Sequence, residues 1–137
     1  MAWIVSNIKW LMLVSGALTC TMLYALVAPQ PALQSNFGEG LEGPVAEIVV
    51  RNWGALIGLV GGMLIYGAFN PASRPMALAV AAVSKLTFIT LVLVHGQRYL
   101  SEQAGIAIGV DAVWVLLFVL YFFGARNLPR ARAVQQV

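Results

Sequence analysis

Four apolar blocks, each about as long as a bilayer is thick, constrain this chain more than any other feature. They run from about Ile8 to Ala28, Val45 to Phe69, Met76 to His95 and Ala104 to Gly124. An α-helix needs ~20 apolar residues to cross a ~30 Å hydrocarbon core, and each block supplies about that many. Pro29 ends the first block and Asn70-Pro71 the second. The blocks do not alternate in polarity, and barrel strands need only ~10 residues, so strands are excluded. Composition agrees: 61% of residues are hydrophobic and 9% charged, against about 25% charged in a soluble domain. The fold expected is all-α, an antiparallel bundle of four transmembrane helices forming a single integral membrane domain over residues 1–137. The first block is expected to stay in place rather than act as a cleaved signal. Lys9 is its only early charge, and a cut near Ala28 would place Pro29 directly after it.

Charge placement sets an orientation. Lys9, Arg74, Arg126, Arg130 and Arg132 fall on the side of the termini, with no acid among them. Arg51 and Arg98 fall on the other side with Glu39, Glu42, Glu47 and Glu102. Basic residues in short loops are retained in the cytoplasm, so both termini are expected there, in the inner (plasma) membrane. Residues 29–44 and 96–103 should then face outward. The prolines and glycines between Pro29 and Pro44 are expected to break any regular element in the first loop. The segment 125–137 is expected to be a loosely ordered cytoplasmic tail near anionic headgroups. The pI of about 9.4 follows from charges at helix ends, not from a basic soluble patch, so nucleic acid is not an expected partner.

Two features point to how the helices meet. Gly54, Gly58 and Gly62 recur every four residues in the second block. Such a stripe lets another helix approach closely in lipid, either within the bundle or on another subunit. Lys85 and Asp111 lie deep in the third and fourth blocks. A lone charge at the bilayer centre costs roughly 2.5–3.5 kcal/mol on the lenient scale, so the two should pair. Lys85 lies about 15 Å and Asp111 about 10 Å below the outer ends of their helices, at 1.5 Å per residue. The lysine stem spans that difference. Glu47 and Arg51 form a favourable four-residue pair, and His95 closes the third helix at the same end. Glu47, Arg51, Lys85, His95 and Asp111 are therefore the candidate binding residues, a polar cluster in the outer half of the bundle. A purely structural network that fixes helix register is the plainer alternative.

No catalytic or metal-binding signature is present in the sequence, and the chain is not expected to be an enzyme. One histidine and one cysteine do not make a zinc site, and His95 alone offers an axial haem ligand. The serines lack the glycine elbow of a hydrolase. The glycines of the second block follow no strand, so they are not a dinucleotide fingerprint.

The first helix ending at Pro29, the Gly/Pro-rich outer loop, Arg51 ahead of Trp53-Gly54, and the acid Asp111 in the last helix together resemble small bacterial DoxX-like four-helix membrane proteins. The resemblance covers most of the chain and implies association with membrane partners, in some members quinone-linked redox complexes. Lys85 has no counterpart in that pattern. Small multidrug exporters, similar in length, carry an acid in the first helix, which is missing here. The leading expectation is thus an accessory or structural subunit that packs against a larger membrane complex or its own copies, with lipids as surroundings and no cofactor. The alternative is a quinone- or lipid-binding protein serving a redox enzyme. A small proton-coupled transporter using Asp111 and Lys85 is the third possibility.

Overall fold

The computed structural model describes residues 2–134, with side chains described as far as Arg126. It is helical throughout, and no strand occurs among the described residues. The helices are α1 (Ala2–Cys20), α2 (Leu23–Val27), α3 (Pro29–Phe37), α4 (Pro44–Phe69), α5 (Arg74–His95) and α6 (Gln103–Val134). A 3₁₀ turn over Gln97–Ser101 joins the last two. Among the described residues four stretches are long and apolar enough to cross a membrane: Ala2–Val27, Pro44–Phe69, Arg74–His95 and Gln103–Arg126. The chain is a multi-pass membrane protein by this measure; each span overlaps one of the sequence blocks, the first starting at Ala2 rather than about Ile8.

The ends of the helices correct the sequence reading in two places. The first loop contains a regular element, α3, where none was expected. Its prolines start the helix rather than break it. Pro29 and Pro31 fall in the first turn, where backbone N–H groups have no partner within a helix. Gly38 then ends α3 in the left-handed conformation, φ 69°. The segment expected to be a loose tail continues α6 as helix to Val134. Three alanines and three arginines between Ala125 and Val134 favour helix, which runs on through Pro129 despite the cost of proline inside a helix. Residues 135–137 of the expected tail lie outside the described residues.

Two apolar clusters hold the bundle together. The larger gathers Ile8 and Met12 from α1, Leu64 and Ala68 from α4, Ala77, Leu78 and Ala81 from α5, and Phe118 from α6. The smaller, near the opposite end, gathers Ala25, Ala32, Leu33 and Val50, with Phe37 and Trp53 packed on them. Aromatic contacts extend that cap: Phe37 lies 6.1 Å from Trp53 and 5.4 Å, edge-on, from Tyr99. The side chains of Arg98 and Tyr99 both donate to Glu39, at 3.2 and 3.1 Å, tying the first loop to the 3₁₀ turn. The exposed Arg98 guanidinium is held above its ordinary pKa by its hydrogen bond to the Tyr99 hydroxyl and then by attraction to Glu39.

The closest helix pairing is α1 and α2 against α4, and glycine makes it so. A Cβ on Gly61 would lie 2.8 Å from the Gly16 carbonyl oxygen and 2.6 Å from Cys20 Sγ. A Cβ on Gly54 would lie 2.8 Å from backbone atoms of Met22 and Leu26. Gly58 is filled by Leu23. Gly62 does not join them: it is exposed, and nothing lies within 4 Å of its would-be Cβ. Four residues turn a helix by about 400°, so a spacing of four drifts about 40° per step. Over two steps the drift carries Gly62 off the contact face, and Gly61 takes its place.

Candidate functional site

Between the two apolar clusters lies a cavity of about 520 Å³, lined chiefly by apolar side chains. This falls within the ~300–1,000 Å³ range of ligand pockets. Leu18 of α1, Ile57 of α4, Phe88 of α5 and Trp114 of α6 supply its walls. Asn36 of α3 and Gln103, the first residue of α6, line it toward the capped end. Ile106 and Val110 line it as well, yet remain exposed on the bundle's outer surface. The cavity therefore opens between helices toward the surroundings of the bundle.

Lys85 and Asp111 line this space and form an ion pair. Their side chains are 10% and 18% exposed, so both are largely withdrawn from solvent. Lys85 Nζ also donates to Thr19 Oγ1 at 3.4 Å, and that hydroxyl donates to the Ser15 carbonyl at 2.8 Å. Thr19 turns its own proton to the backbone and offers its oxygen to the ammonium. Ser15 and Thr19 are not among the candidate residues read from the sequence. Their signal was a one-turn polar spacing in an apolar helix, on the face that also carries Gly16. The Ser15 hydroxyl itself is fully buried and has no hydrogen-bond partner among the described residues.

The remaining members of the expected cluster stand apart. Arg51 pairs with Glu47 at 2.6 Å and donates to the carbonyls of Leu26 and Val27, at 2.5 and 3.3 Å. The chain leaves helical geometry at Ala28 (φ −129°, ψ 73°), and Pro31 has no N–H to return to the Val27 carbonyl four residues back. Arg51 supplies that donor instead. His95 ends α5 with its side chain exposed. Glu47, Arg51 and His95 are not among the cavity-lining residues. The five candidates thus divide into a buried pair at the cavity, an arginine clasp on α2, and an isolated terminal histidine. The glycine face is occupied from within the chain at Gly54 and Gly58, and open at Gly62.

The site offers charge compensation, a donor and an acceptor in an apolar setting, and an opening at bundle depth. This suits holding an amphipathic molecule by its head. No protein-family model, curated protein or solved structure matches the chain.

Proposed function

We propose that this chain is an antiparallel four-helix protein of the inner membrane, with both termini cytoplasmic, that binds a quinone or lipid through the Lys85–Asp111 pair. The observation that carries this reading is the roomy, apolar cavity beside a buried ion pair. Buried charges within spans mark functional sites by default, and protein interiors are otherwise densely packed. The resemblance to DoxX-like proteins adds a redox enzyme as the partner such a binder serves. The orientation rests on the basic residues Lys9, Arg74 and Arg126 on the side of the termini.

Two tryptophans at the cavity provide the test. Trp53 and Trp114 line it, while Trp3 and Trp10 are exposed near the start of α1. In a Trp3→Phe, Trp10→Phe background, a short-chain benzoquinone should quench the remaining fluorescence saturably. Ala107→Phe, which adds a ring inside the cavity, should raise the half-saturating concentration at least tenfold. Equal quenching in both proteins would mean simple partitioning into the surrounding amphiphile and would end the reading.

A second reading, an accessory subunit of a larger membrane complex, draws on α6. Of the four spans it is the least covered by its own chain, and Gly109 on it faces open space. Co-purification with larger chains at fixed stoichiometry, lost on Gly109→Leu, is its expected outcome. A lone monomer after mild extraction is the contrary one.

A further inference from the structure

We infer that the headgroup held at this site is uncharged and carries a hydroxyl, which accepts from Lys85 and donates to Asp111. The inference rests on the binding reading above and names the chemical class of the ligand.

Charge comes first. Lys85 and Asp111 cancel, and among the described residues no other charged side chain lines the cavity. An anionic or cationic head would therefore enter an apolar space with no counter-charge left for it, at a large desolvation cost. Free hydrogen-bonding capacity comes second. An ammonium has three N–H donors, and Lys85 uses one on Asp111 Oδ1 and one on Thr19 Oγ1. The third is available. Asp111 Oδ2 has no protein partner among the described residues, and its side chain is less covered than that of Lys85. The ion pair thus presents one spare donor beside one spare acceptor to the cavity.

A group that only accepts, such as a quinone carbonyl or an ester, answers Lys85 and leaves the carboxylate oxygen unmatched. A hydroxyl answers both, because it accepts through its lone pairs and donates its proton. Discrimination of this kind is strong in a dry site, where a buried polar group left without a partner is costly. The apolar walls and the opening beside Ile106 and Val110 accommodate a tail that continues into the bilayer. A quinol and a neutral glycerolipid share this chemistry. In the first case the site favours the reduced ligand over the oxidised one.

The experiment compares each hydroxyl probe with its methyl ether, which keeps shape and acceptor but loses the donor. One arm uses a decyl-substituted hydroquinone and its dimethyl ether under argon. The other uses a monoacylglycerol and its dimethyl ether. Retention on the whole protein is read by native mass spectrometry from a non-ionic detergent. The inference expects the hydroxyl form to be retained at least tenfold better than its ether in one arm, and that arm names the source. It also expects the Lys85→Met, Asp111→Leu double variant to lose the preference while still retaining the ether. Equal retention of hydroxyl and ether in both arms would overturn the inference and leave the binding reading standing. Retention of neither form in either arm would overturn both. The comparison on the unaltered protein decides the matter even where the double variant does not fold.

Discussion

Replacing Lys85 by Met should destabilise the protein by about 3 kcal/mol, and replacing its partner as well should restore most of that loss. The Asp111 side chain is 18% exposed, so solvent screens it only partly once its cation is gone. Breaking a buried pair from one side costs ~3–5 kcal/mol, because the remaining charge stays withdrawn from water. Partial exposure through the cavity places the value at the low end. Asp111→Leu should cost less, about 1–2 kcal/mol, because Lys85 keeps its bond to Thr19 and its stem reaches outward. The double variant substitutes apolar side chains of similar size for both charges, and such swaps are close to neutral. A loss of about 1 kcal/mol is expected there, for the Thr19 oxygen left without its donor. The coupling energy across the cycle is then about 3–4 kcal/mol, at or just above the top of the range for contacting residues. The assay is reversible unfolding by increasing mole fraction of dodecyl sulfate in dodecyl maltoside micelles, followed by circular dichroism. Additive effects within ~0.5 kcal/mol would show the two residues to be energetically independent and refute the reasoning.

Three further outcomes follow from the same contacts. Gly61→Ala should destabilise by about 1–3 kcal/mol, because its Cβ meets the Gly16 carbonyl at 2.8 Å, whereas Gly62→Ala, facing open space, should be neutral or stabilising by up to ~1 kcal/mol; thermal unfolding in detergent compares them. Ser15→Ala should stabilise by about 1 kcal/mol in the same assay, since it removes a fully buried hydroxyl that has no partner among the described residues. Single cysteines at Ser101 and Ser73, placed in a Cys20→Ala background, should differ in intact cells: a membrane-impermeant maleimide should label Ser101→Cys and spare Ser73→Cys, and the reverse pattern would invert the proposed orientation.

The parts of this structure that were legible in the sequence are those governed by depth, and the parts that were not are governed by angle. Lipid demands unbroken apolar helices, so Pro29 and Asn70-Pro71 mark span ends with little ambiguity. Rise per residue is constant, so the levels of Lys85 and Asp111 follow from counting, and the pair forms. The direction in which a side chain leaves its helix depends on which neighbour that helix meets. Arg51 and His95 lie at the capped end, as counting implies, yet Arg51 turns to the carbonyls of Leu26 and Val27 and His95 stays exposed. Gly62 fails for the same reason, through the drift of a four-residue spacing. The element α3 was hidden differently: proline reads as a breaker unless its position in the first turn is known.

A role confined to fixing helix register does not account for the space beside the ion pair. Register needs Lys85, Asp111 and Thr19 in contact, and a few methylene groups packed around them would serve it best, because close packing stabilises and voids do not. The chain does pack closely on both sides of this level: Met12, Leu64, Leu78 and Phe118 are fully buried on one side, and Ala25 and Ala32 on the other. Between them, a cavity of about 520 Å³ lined by Phe88 and Trp114 lies open beside the pair. A lipid acyl chain alone would fill an apolar slot without drawing on a spare ammonium proton and a spare carboxylate oxygen. A space bounded by tight packing above and below, with a spare donor and a spare acceptor at the ion pair, is better suited to a molecule with a polar head than to empty structure.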